Sequence, residues 1–189
     1  MKRTLFLAVV LLVSCVAYAQ KNGYTVHNVE VMGSIGWTKA DYIKSGKIYT
    51  GSASYAYSLN RYFGLGGGLS YGVTDVIFHP AGGHAEESKW NMYSIYGTVR
   101  GYLPTYSKHI SFVGVVDAGA TYLDLVENLR YEDLLPSWAF MCSPQFGIRI
   151  KLMKDKSPAL NVRLYYKHYS LFDDYHSFDE KGILFGISF

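Results

Sequence analysis

The chain has 189 residues, with 18 Lys and Arg against 15 Asp and Glu, so one domain and a formal charge of +3 leave no basis for a nucleic-acid partner. Its composition, 18 Tyr, 10 Phe and 19 Gly, is unusual for a soluble domain. Two cysteines exclude a disulfide-dense scaffold.

Lys2 and Arg3 precede an apolar run from Leu5 to Val13, and Ala17-Tyr18-Ala19 follows as an A-x-A cleavage site. Residues 1–19 therefore read as a signal peptide, too short to cross a bilayer as a helix. Leu12-Val13-Ser14-Cys15 also resembles a lipoprotein box, in which Cys15 would be lipidated rather than removed. If Cys15 leaves with the leader, Cys142 is the remaining cysteine and no internal disulfide forms.

Residues 20–28 read as a periplasmic lead-in, and 29–189 as the folded domain. The first strand places Val29, Val31, Gly33, Ile35 and Trp37 on one face and Glu30, Met32, Ser34 and Gly36 on the other. After a loop over residues 38–46, a second strand points Tyr49, Gly51, Ala53, Tyr55, Tyr57 and Leu59 outward and Thr50, Ser52, Ser54, Ala56 and Ser58 inward. Asn60-Arg61 is a tight turn, beyond which Phe63, Leu65, Leu69 and Tyr71 alternate with Gly64, Gly66, Gly68 and Ser70. These glycines are not a phosphate loop, since no Lys-Ser/Thr and no helix follow.

A polar loop is expected from Thr74 to Lys89, then a fourth strand with Tyr93, Ile95, Gly97 and Val99 outward and Arg100 inward. A short turn near Pro104 leads to a fifth strand with Val116 outward and Asp117 inward, and a long loop covers Leu123 to Pro136. In the sixth strand Phe140, Cys142, Pro144, Phe146 and Ile148 face out and Gln145, Arg149 and Lys151 face in. Pro144 cannot donate to a ladder, so a bulge is expected there. A turn near Asp155 precedes a seventh strand with Leu160, Val162, Leu164 and Tyr166 outward and Arg163 and Lys167 inward. A loop from Tyr169 to Glu180 then precedes the last strand.

That strand alternates Ile183, Phe185, Ile187 and Phe189 with Gly186 and Ser188, and it ends on an aromatic. Eight strands with alternating faces, joined by short and long connections in turn, predict an all-β, eight-stranded antiparallel up-and-down transmembrane barrel, its termini on the short-turn side. With the leader and Phe189, the sequence resembles the small eight-stranded bacterial outer-membrane β-barrel proteins. The resemblance implies residence in the outer membrane of a Gram-negative bacterium, with long loops extracellular and Phe189 a signal to the barrel-assembly machinery. It also implies contact with outer-membrane lipid and lipopolysaccharide, and a monomer.

Glu30, Asp117, Arg100, Arg149, Arg163, Lys151 and Lys167 all fall on the inward face. An eight-stranded lumen is only wide enough for side chains, so these residues predict a buried network. In it arginine forks hold the two carboxylates and waters satisfy the rest. Eight apolar outer faces cannot all pack into one interior, which places lipid outside.

Two functions are compatible with this reading. The favoured one is a non-enzymatic barrel with a filled lumen and surface loops for structural or interaction roles, without cofactor or metal. His79, His84, Glu86 and Glu87, and later Asp173, Asp174, His176, Asp179 and Glu180, fit no metal-ligand spacing and read as solvated loop groups. The alternative starts from Lys167-His168-Tyr169-Ser170, which resembles the His-x-Ser element of the lipid A 3-O-deacylase barrels. That resemblance implies an esterase with Ser170 as nucleophile, His168 as base and Glu180, or else Asp179, as the acid orienting it. Leu171 stands where that family has Asn.

Overall fold

The computed structural model describes residues 26–40, 43–78, 86–107, 109–125, 137–152, 158–171 and 177–189. Its eight strands are β1 (Val26–Ala40), β2 (Ile43–Ser58), β3 (Phe63–Phe78), β4 (Glu86–Pro104), β5 (Ile110–Leu125), β6 (Ser137–Lys151), β7 (Ala159–Leu171) and β8 (Ser177–Ser188). Each pairs antiparallel with the next, and β1 pairs with β8 to close the barrel. Phe189 completes the seam through two backbone hydrogen bonds with Val29, at 2.8 and 3.1 Å. Closure leaves no free sheet edge, which a membrane would not tolerate.

The register fixes how the strands lean. From Val29, the row of partners runs through Tyr55, Gly67, Gly97, Ala118, Cys142, His168 and Asp179. It returns to β1 at Lys39, ten residues further along. Such a stagger requires strands tilted by roughly 40°, so each residue adds about 2.5 Å of height.

Side chains separate by parity as the sequence predicts. Val31, Leu69, Ile95, Phe146, Leu164 and Phe185 are exposed on the outside, while Glu30, Arg100, Thr121 and Arg163 are buried inside. Aromatic residues mark both ends of the outer apolar band: His27, Tyr57, Phe63 and Phe112 near the chain termini, and Trp37, Tyr71, Tyr93, Tyr122 and Trp138 toward the other end. Within the second set Tyr71 lies 5.2 Å from Tyr93, and Tyr122 lies 5.2 Å from Trp138, ring to ring. Two girdles bounding an apolar band are the signature of a lipid-spanning barrel.

Several expectations need correction. The leader lies outside the described residues, but the lead-in does not reach Asn28, because β1 begins at Val26. The loop over 38–46 is largely strand, and residues 41 and 42 alone separate β1 from β2. Thr74–Phe78 and Glu86–Lys89 likewise belong to β3 and β4. The apolar–polar alternation ends here but the backbone pairing does not: the β3–β4 ladder runs on unshifted to Phe78 and Glu86, so the strands outlast the pattern that announces them. Leu59 is buried rather than outward, because the chain turns beside it: Asn60 Oδ1 accepts from the backbone N–H of Tyr62 and Phe63 at 2.7 and 2.8 Å. Pro144 makes no bulge. Its β5 register is continuous, and on the β7 side the ladder skips Ser143 and Pro144 but resumes in the same register, Cys142 with His168 and Gln145 with Tyr165.

Candidate functional site

Inward side chains lie in layers along the lumen. At mid-height Glu30 is the shared anion of two guanidinium groups, 2.6 Å from Arg163 and 3.3 Å from Arg100, with all three side chains almost fully buried. Arg100 also donates to Ser54 Oγ at 2.7 Å, and Arg163 donates to Gln145 Oε1 at 3.3 Å. Gln145 in turn donates to Asp117, so this second carboxylate is held by an amide and not, as expected, by an arginine fork. Small residues on β2 and β3 make room for these long ones. A Cβ at Gly68 would sit 2.7 Å from the Tyr96 ring.

The network surrounds a cavity of about 30 Å³ lined by Glu30, Arg100, Asp117, Gln145, Arg163 and Lys167 among others. Arg100 Nε and Nη1, Arg163 Nε and Asp117 Oδ1 are buried without a hydrogen-bond partner among the described residues. A space of this size has room for about two waters that would bridge them.

Two residues assigned to the network stand apart from it. Arg149 is half-buried nearer the chain termini, where it lies over the Tyr102 ring at 5.4 Å and, with the Asn28 amide turned so that its oxygen faces the guanidinium, donates to Asn28 Oδ1 at 3.2 Å. Lys151, the last residue of β6, is exposed, because the inward face at a strand end opens to solvent.

Toward the other end Lys167 meets a carboxylate that sequence reasoning placed in a loop. Glu180 is fully buried in the lumen, 3.7 Å from Lys167 Nζ, and accepts from the hydroxyls of Tyr169 at 2.9 Å and of Tyr165. Gly36 opposite is required, since a Cβ there would overlap both the Tyr165 hydroxyl and Glu180. The missed signal was parity: continuing the inward series Ser188, Gly186, Leu184 and Gly182 by one step reaches Glu180. Above it lies an apolar cluster of buried residues that includes Ile48, Trp90, Met92, Leu123, Met141, Tyr169 and Phe178. The Tyr169 and Phe178 rings stack at 4.4 Å.

On the outer face His168 and Ser170 both point outward, as expected for an esterase at the lipid surface. Glu180 cannot serve them, because it faces the lumen on the opposite side of β8. Asp179, the register partner of His168, accepts from its Nδ1–H at 2.8 Å. Ser170 lies two residues along the same strand, about 6.6 Å in rise, and among the described residues it has no hydrogen bond to His168. Residues 79–85 and 172–176, with His79, His84, Asp173, Asp174 and His176, lie outside the described residues.

The sequence matches the outer membrane protein beta-barrel domain over residues 6–189. The chain belongs to this family. No curated protein matches the sequence. Among solved structures, Neisserial surface protein A is similar with a TM-score of 0.61 at 12% identity, covering 86% of this chain and 95% of that one. The outer membrane enzyme PagL gives 0.53 at 15% identity, over 83% and 97%. Outer membrane protein OprG from Pseudomonas aeruginosa gives 0.53 at 12%, over 86% and 95%. At these identities the likenesses carry the fold, which surface proteins and an enzyme share. This chain is accordingly an outer-membrane barrel protein.

Proposed function

We propose that this is a non-enzymatic barrel sealed by its own side chains, whose loop end faces the outside of a Gram-negative cell and carries a structural or interaction role. The observation that supports it most is the layered lumen: a paired charge network at mid-height under an apolar plug containing Tyr169 and Phe178. A continuous aqueous path would need both layers to part. Its partners in this reading are outer-membrane lipid and lipopolysaccharide and, during insertion, the barrel-assembly machinery that reads Phe189. It acts as a monomer without cofactor. Planar-bilayer recording tests the seal. The expected trace has no persistent ion steps, and stable openings in every insertion would reject it.

A second reading, an esterase acting on lipid, is favoured by one observation: the 2.8 Å bond that holds His168 by Asp179 on the outer face. With Nδ1 so occupied, Nε2 would be free to take the proton of a serine hydroxyl. Against it stand the missing His168–Ser170 contact and Leu171, which has no side-chain donor for an oxyanion; one such donor is worth about 2.7–4 kcal/mol. Mass spectrometry of lipid A incubated with the barrel, Ser170→Ala and His168→Asn is expected to give no Ser170-dependent release of hydroxy fatty acid. Release by the unmodified chain that both substitutions abolish would promote the esterase.

A further inference from the structure

We propose that the outer face at the loop end binds a phosphorylated glycolipid of the outer leaflet, its phosphates held by Lys47 and Lys181 on either side of Trp37. Trp37 on β1 is the register partner of Lys47 on β2 and of Lys181 on β8, so the three side chains stand in one row on the outside of three adjacent strands. All three are exposed. Neighbouring strands lie about 4.8 Å apart, so the two lysines are rooted about 10 Å apart with the indole between them.

Neither ammonium group forms an ion pair among the described residues. Glu180, next to Lys181 in sequence, is buried in the lumen, and the nearest acid on the outer face of β8 is Asp179, which His168 occupies. Asp75 on β3 is the register partner of Lys47, on the side away from Trp37. Its charge weakens attraction there and biases an anion toward the β8–β1–β2 side.

Depth supports the assignment. One step nearer the chain termini the same face carries Ile35, Tyr49 and Ile183, all exposed and apolar or aromatic, so the lysines stand where the apolar band gives way to headgroups. Unpaired cations at that level are attracted by anionic headgroups, and their stems allow the charges to reach outward. The indole between them offers an apolar face to a sugar ring, which a simple phospholipid headgroup would not use. A headgroup with phosphate on either side of a sugar matches the order cation, indole, cation.

This inference rests on the loop end facing outside. Its test is made in detergent, where orientation plays no part, so failure of binding is distinguishable from a failure of the proposed orientation. Native mass spectrometry of the refolded full barrel would use three probes: a bisphosphorylated glucosamine-disaccharide lipid, the same lipid dephosphorylated, and phosphatidylglycerol. The expected result is retention of the first alone. Retention should fall about tenfold or more in the Lys47→Gln/Lys181→Gln double variant and be unchanged in Lys151→Gln at the opposite end. Both target side chains are exposed, and heat-modifiable gel mobility checks that the variant is folded; the dephosphorylated arm needs no variant at all. Equal retention by the double variant, of the dephosphorylated lipid, or of phosphatidylglycerol would overturn the proposal.

Discussion

Glu30 concentrates the energetic stakes of the lumen because one carboxylate neutralises two buried guanidinium groups. Removing one member of a buried ion pair leaves an uncompensated charge and costs about 3–5 kcal/mol, so Glu30→Gln is expected to destabilise by that order. Asp117→Asn should cost less, since its bonded partner is the neutral Gln145 and an amide oxygen can still accept that bond. Urea titration of the detergent-refolded barrel measures both; an equal or larger loss for Asp117→Asn would reject Glu30 as the hub. Parity made Glu30, Asp117, Arg100, Arg163 and Lys167 legible as inward residues. It could not give the partners, because which inward side chains meet depends on the ten-residue stagger between the two ends of the sheet. Asp117 is therefore expected from sequence to bind arginine, and Glu180 to lie in the loop before β8, whereas it is a lumen residue of that strand.

At the scale of the strand, apolar alternation is readable across the apolar band, where outer and inner faces differ in polarity, and it gives no guide beyond the band, where backbone pairing continues without it. The centres of β1, β4, β5 and β7 agree with the sequence residue by residue, whereas β3 and β4 run on past Thr74 and Lys89 into a stretch that looks like loop. Pro144 shows a different limit. A residue that cannot donate interrupts one ladder locally without shifting it, provided the flanking pairs hold the register. Lipid exposure along one strand also predicts a gradient. Val116 is exposed near the middle of the apolar band on β5, and Ile110 is exposed at the end of the same face near the terminal-side girdle. Arg at Val116 should cost about 2–4 kcal/mol and Arg at Ile110 about 0–1, the difference arising from depth alone. Equal costs in lipid-vesicle unfolding titrations would mean that the band is misplaced.

For the whole molecule, strand length exceeds what the bilayer needs, and the excess lies at one end. A transmembrane strand needs about 9–11 residues, whereas β4 has 19 and β3 has 16. Counting from Ile95 in the apolar band, Glu87 on β4 stands eight residues away, roughly 20 Å higher at the expected tilt. The β3–β4 hairpin therefore projects beyond the aromatic girdle, while the turn at Asn60, at the opposite end, stays close to its own girdle at Tyr57 and Phe63. Single cysteines in a Cys142→Ser background would read this asymmetry, using a maleimide that does not cross the outer membrane. Glu87→Cys should label on intact cells, Asn60→Cys only after the outer membrane is opened, and Ile95→Cys in neither case, because lipid keeps a charged reagent from the thiol. Labelling of Asn60→Cys on intact cells with Glu87→Cys protected would invert the barrel in the membrane. It would also remove the proposed outward role of the loop end, whatever the lumen and the lysine pair do in detergent.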